Sequence, residues 1–239
     1  MRFFSRKSKI VFTRLSRFEP NMDEKEYLER RTVSEFLDWV DATNLNRQKT
    51  GKSNAYRSRE GLWKKYADEA EPLGRFLRGN SNIPRTAAVS MGIESSKPDA
   101  LLEWPDKKIP VEITTTDDLP AIHNRRQLND HGFGPGETNN VQTGKDLAVQ
   151  KAAGNPRDFG QVMSGDYMEK TELKRISDRL RNKLSKKYNS ETILIVDSCS
   201  TSLFDVEEDR VRNHLQEFSS QKIFREIWIQ IFSGRVLKL

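Results

Sequence analysis

The chain of 239 residues has a single cysteine, Cys199. No internal disulfide can form, and a reducing compartment, the cytoplasm, is the expected location. Histidine is scarce too, at three residues. His123 and His131 beside Asp130 make no recognisable zinc pattern, and one cysteine excludes the thiolate-rich sites. Long apolar runs are missing. The longest, Ile193–Val196 and Ile227–Ile231 with Gln230 inside it, fall far short of the roughly 20 residues a membrane span needs, so no membrane partner is expected. The N-terminal stretch MRFFSRKSKIVFTRLSRF has no apolar segment of the kind a secretory signal carries. Phosphate-binding glycine loops are absent as well. Gly132-Phe133-Gly134-Pro135-Gly136 is not followed by Gly-Lys-Ser/Thr, and Gly144-Lys145 is followed by Asp146. Ser198-Cys199-Ser200 lacks the Gly-x-Ser-x-Gly elbow of a serine hydrolase.

What the chain has in abundance is charge. Lys and Arg number 41 against 35 Asp and Glu, a net charge of +6, while hydrophobic residues make up only 35%. The length fits one large domain, or one domain with an extension, under a broad solvated surface. The first acidic residue is Glu19. Residues 1–50 therefore read as a basic arm plus a helical extension, with 56–239 as the main domain, and the arm is suited to lie near an anionic partner.

Periodicity outlines the elements. Tyr27, Val33, Phe36, Leu37 and Val40 predict a helix over 23–42, followed by a polar linker over 43–55. A second helix is expected over 57–78, ended or kinked by Pro72. Strands follow at 86–93, 99–104 and 109–114, the last two joined by a tight turn at Pro105-Asp106-Lys107-Lys108. Pro110 argues for an edge strand or a strand start. Residues 117–165 read as a long loop, with a short helix near 145–152. A helix over 169–188, a buried strand over 191–198, a helix over 206–219 and a hairpin around Ser233-Gly234 complete the chain. Strands alternating with helices predict an α/β fold, a mixed central sheet flanked by helices.

The chemistry concentrates in Pro98-Asp99-Ala100-Leu101-Leu102-Glu103-Trp104 and Pro110-Val111-Glu112-Ile113-Thr114. A two-residue turn at Pro105-Asp106 pairs positions whose numbers sum to 211, which puts Asp99 opposite Glu112 on one face, with Cβ atoms ~4.5–5.5 Å apart. Two carboxylates that close stay ionised only around a cation. Mg²⁺ or Mn²⁺ suits such oxygen ligands. A cross-strand pair splayed into solvent is the alternative on spacing alone.

These residues resemble the PD-(D/E)XK superfamily of restriction-endonuclease-like phosphodiesterases. Its signature is Pro-Asp on one strand, then Asp/Glu-x-Lys on the next. Asp99 and Glu112 match the acids, and Thr114 stands where the lysine is expected. Glu-Ile-Thr is close to a variant form in which a basic helix after a variable loop precedes a hydrophobic strand. The matching run here is Arg179-Leu180-Arg181-Asn182-Lys183-Leu184-Ser185-Lys186-Lys187 ahead of Thr192–Val196.

The resemblance implies a restriction-endonuclease-like sheet and Mg²⁺- or Mn²⁺-dependent hydrolysis of DNA or RNA, in a setting such as phage defence or restriction. It implies Asp99, Glu112 and the Ile113 carbonyl as metal ligands. Lys183, at the edge of the Leu173/Ile176/Leu180/Leu184 stripe, would replace the lysine that Thr114 lacks, with Lys187 as second choice. Glu69, or less favourably Glu71, would supply a further acid from the preceding helix. His123, Arg125, Arg126, Arg179 and Lys187 are the candidate nucleic-acid contacts. The expected partner is nucleic acid, DNA ahead of RNA, with a homodimer or larger assembly also open. The alternative is a catalytically inactive member that binds nucleic acid or a protein.

Overall fold

The structure is a computed structural model that describes residues 22–50, 61–94, 98–116, 165–198, 203, 205–231 and 234–239. Within these residues the chain forms a seven-stranded mixed sheet whose spatial order is the chain order. The strands are β1 (Arg31–Thr32), β2 (Ala88–Met91), β3 (Ala100–Trp104), β4 (Lys107–Thr115), β5 (Ile193–Asp197), β6 (Glu226–Gln230) and β7 (Val236–Lys238). β1 to β4 run antiparallel in sequence, β4, β5 and β6 run parallel, and β7 closes antiparallel to β6. The α/β class with a mixed, helix-flanked sheet is as the element order predicted.

The helices divide between the two faces. On one face lie α1 (Glu24–Leu28), α2 (Val33–Thr50), and the run α3 (Gly61–Lys65), a π turn (Tyr66–Ala70) and α4 (Glu71–Gly79). Tyr27, Phe36, Val40, Tyr66, Leu73 and Phe76 from these helices share one cluster with Leu102, Val111 and Ile195 of the sheet. On the other face, α5 (Gly165–Leu184) and α6 (Glu208–Leu215) bring Leu173, Ile176, Leu180, Val211 and Leu215 onto Leu194, Val196, Ile227 and Ile229. α5 and α6 each link parallel neighbours, and right-handed crossovers put both on one face. β5 is buried at every position, with Ile193 and Ile195 in the first cluster and Leu194 and Val196 in the second. That is why its sequence is continuously apolar rather than alternating.

Several expectations need correction. The helix foreseen over 23–42 is broken at Arg31–Thr32, which pairs with β2 as an edge strand. The segment expected as an extension thus adds a strand to the sheet and Phe36, Leu37 and Val40 to the core. The linker expected from 43 is helical to Thr50. Pro72 does not end its helix. Glu71 N–H donates to the Tyr66 carbonyl five residues back, and this wider turn absorbs the donor that proline lacks.

Pro110 lies inside β4, flanked by β3 and β5, rather than at an edge. In the hairpin register Leu101 faces Pro110, while the pairing with β5 begins only at Val111. Backbone groups leave a strand from alternate edges. Because Ile113 N–H points to the β3 side, the Pro110 nitrogen points to the opposite side, ahead of the start of β5. No ladder hydrogen bond is lost.

α5 begins earlier than foreseen and ends at Leu184, so Lys187 and Tyr188 lie beyond it. Its last turn tightens, with Lys186 N–H bonded to the Lys183 carbonyl, and a turn from Asn189 to Thr192 returns the chain to β5. No described helix is long and apolar enough to cross a membrane.

Candidate active site

The hairpin sets the geometry. Trp104 pairs with Lys107 and Ala100 with Val111, so the register numbers sum to 211 and the next position out is Asp99 against Glu112. Asp99 sits just before β3, and its Oδ2 accepts from Ile113 N–H at 2.8 Å. This bond continues the ladder one step beyond the N-terminal end of β3. It also fixes one carboxylate oxygen. The Ile113 carbonyl leaves β4 from the same edge as its N–H.

Gly92 makes this placement sterically feasible. Its N–H donates to the Asp99 carbonyl at 2.8 Å. A Cβ on residue 92 would stand 2.3 Å from the Pro98 carbonyl oxygen, closer than any non-bonded contact allows. Only glycine lets the chain leaving β2 pass so near the Pro98-Asp99 backbone.

Glu112 receives two donors on the same oxygen. Lys183 Nζ lies 2.5 Å from Oε1, and the Tyr188 hydroxyl lies 3.3 Å from it. Both side chains of the ion pair are largely buried, 15% and 16% exposed. Lys183 lies on the last turn of α5, beside the Ile176/Leu180 stripe, so its alkyl stem follows the apolar face while the ammonium reaches β4. Tyr188 is packed against Phe224, with ring centroids 4.7 Å apart. Burial and the Glu112 charge push its phenol up to about 12.

A third acid approaches from the opposite layer. Glu69 lies in the π turn, and π turns inside α-helices recur at functional sites. Its carboxylate accepts from the Tyr27 hydroxyl at 3.1 Å and from Lys65 Nζ at 3.1 Å. Lys65 also reaches the Gly92 carbonyl at 3.5 Å. Burial, then the charge of Asp99, raises Glu69 from its ordinary 4.5 to about 7, against the opposing pull of Lys65 and Tyr27. Burial, then the charge of Glu112, raises Asp99 as well, while the Ile113 N–H, Lys183 and Lys65 oppose the rise. Burial raises the Tyr27 phenol, and Glu69 raises it further.

Asp99 and Glu112 therefore repel each other from paired positions. Each has one oxygen committed to the protein, and the other accepts no hydrogen bond among the described residues. Such a pair fits a hard divalent cation, which would relieve the repulsion. Among the described residues no group of three or more histidine, cysteine, aspartate or glutamate side chains is gathered to hold a metal. An ion here would thus rest on the two carboxylates, the Ile113 carbonyl, and water or phosphate oxygens, as Mg²⁺ commonly does.

Thr114 lies on the Glu112 side of β4 and brings no charge. Arg179 is half-buried on α5, and Lys187 is exposed beyond the helix end. Glu71 instead pairs with Arg75 at 3.5 Å. His123, Arg125 and Arg126, and the helix foreseen near 145–152, lie outside the described residues.

Sequence reasoning missed Tyr27, Lys65, Gly92 and Tyr188. The Lys65/Glu69 spacing of four was legible as a helical ion pair, and the other three carried no local signal. A concavity of about 770 Å³ between Arg30 and Trp104 at the hairpin turn contains neither Asp99 nor Glu112. No family model matches the chain, and no curated protein or solved structure matches it either.

Proposed function

We propose that the protein is a metal-dependent nuclease that hydrolyses phosphodiester bonds of DNA or RNA at Asp99 and Glu112. The observation that carries this reading is the pair of mutually repelling carboxylates at hairpin-paired positions, each with one oxygen held and the other accepting no hydrogen bond among the described residues. The resemblance to the PD-(D/E)XK superfamily, with its order of hairpin, basic helix and hydrophobic strand, adds support. Mg²⁺ or Mn²⁺, when bound, supplies Lewis acidity toward water and the phosphate oxygens.

The chain's own residues do the rest. Asp99, Glu112 and the Ile113 carbonyl hold the ion. Lys183 offsets the negative charge that grows on the phosphate in the transition state, the task of the lysine missing at Thr114. Glu69, with its proton held to about pH 7, is poised to take or give a proton beside Asp99 near neutrality. A role in phage defence or restriction, in the cytoplasm, is consistent with this chemistry.

One observation favours a second reading. Lys183 pairs with Glu112 at 2.5 Å and so offsets its charge, and Thr114 brings no lysine. An inactive protein that binds nucleic acid through its basic surface would look the same.

One experiment separates the two. Purified protein is incubated with single-stranded DNA, duplex DNA and RNA, in Mg²⁺, in Mn²⁺ and in EDTA. The nuclease reading expects cleavage only with metal, abolished by Asp99→Ala and by Glu112→Ala without loss of fold. Salt-sensitive binding without cleavage supports the second reading. Cleavage that survives either substitution overturns the first.

A further inference from the structure

Two demands fall on Lys183: its ammonium is held on Glu112 at 2.5 Å, and the proposed chemistry turns it toward the phosphate. Tyr188 reconciles them. Its hydroxyl reaches the same oxygen, Oε1, that Lys183 occupies. The ring is fixed, because it packs on Phe224, which is itself only 5% exposed in the second core cluster. A tyrosine hydroxyl is protonated at neutral pH and so remains a donor to the carboxylate. Lysine, by contrast, has a long flexible stem and an ammonium that donates in any direction.

Building on the nuclease reading, we propose that Tyr188 is a positioning residue that holds Glu112 Oε1 and so keeps Oε2 turned to the divalent ion when Lys183 leaves for the substrate phosphate. Glu112 then has two interchangeable donors with different duties. Tyr188 is the permanent one, acting as an outer-shell partner that orients a metal ligand. Lys183 is the mobile one. In the structure both reach the same oxygen.

The test is calorimetric titration with Mn²⁺ of the full-length wild type, Tyr188→Phe, Glu112→Gln and the double variant, with thermal midpoints recorded for each. Tyr188→Phe keeps the ring on Phe224 and removes only the hydroxyl. We expect it to weaken Mn²⁺ binding by about tenfold or more, the range for outer-shell partners, with kcat lowered, substrate KM unchanged and the thermal midpoint preserved. In the Glu112→Gln background the same substitution should have no further effect on Mn²⁺, because the ligand it serves is already gone. Tyr188→His, which keeps a ring and a donor, should recover part of the lost affinity and is the variant to read if Tyr188→Phe does not fold. Equal Mn²⁺ affinity in wild type and Tyr188→Phe, or equal losses in both backgrounds, overturns the inference. Absence of Mn²⁺ binding by the wild type instead overturns the nuclease reading beneath it.

Discussion

Lys183 and Glu112 are 71 residues apart in sequence and 2.5 Å apart in space. Each comes from an element with its own reason to be there: Lys183 from the end of an amphipathic helix, Glu112 from the inner strand of a hairpin. Their meeting joins the second helical layer to the carboxylate pair.

If Lys183 works on the phosphate, Lys183→Met should separate two properties that usually move together. Turnover should fall by about 10²–10³, the cost of removing one transition-state charge partner. Mn²⁺ affinity should rise, because the ammonium no longer competes for the carboxylate. Single-turnover cleavage and calorimetry read the two independently. A fall in both would assign Lys183 to holding Glu112 alone.

Asp99→Asn keeps an acceptor for the Ile113 N–H and removes the charge that raises Glu69. In metal-free buffer at pH 7–8 the variant should be more stable than wild type, by about 1.4 kcal/mol for each unit of relieved pKa shift. Denaturant unfolding measures it. Metal-dependent cleavage should be lost in the same protein, as expected where charge strain is kept for function.

The pH dependence of stability should carry the signature of Glu69. Its folded pKa is raised from 4.5 to about 7, so its contribution to stability is fully present below pH 4.5 and is lost as pH rises through 7. Glu69→Gln cannot titrate. The stability of wild type relative to this variant should therefore fall between about pH 5 and 8, by up to roughly 3 kcal/mol. A flat difference across that range would show that Glu69 titrates normally.

Gly92→Ala should damage the site more than the fold. The added methyl must push against the Pro98 carbonyl, 2.3 Å from its ideal position. Overpacking of this kind costs about 1–3 kcal/mol, which thermal unfolding will show. Since the displaced backbone carries Asp99, Mn²⁺ binding should be lost even where the protein remains folded.

The parts of this site written locally were readable without a structure. The turn at Pro105-Asp106 and the alternation of β3 and β4 bring Asp99 to Glu112 within one hairpin, and strand geometry fixes such a register over a few residues. The stripe Leu173/Ile176/Leu180 marked α5, and the run Ile193–Val196 marked a strand buried on both faces. Pro110 misled because its cost depends on where the neighbouring strand begins. Arg31–Thr32 misled because a two-residue edge strand has no period to detect.

Asp99, Glu112 and a lysine on the core edge of α5 are thus properties of the sequence itself. Periodicity and turn chemistry act between residues close along the chain. Tyr27, Lys65 and Glu69 come from the layer on one face, Lys183 and Tyr188 from the α5 side. They meet around the carboxylate pair only because both helical layers close on the same sheet. That meeting is decided by the packing of Phe36, Tyr66 and Leu73 on one side and Ile176, Leu180 and Phe224 on the other. Hydrophobic burial is non-directional and favours many pairings, so which charged groups it brings together is known only once the layers are in place.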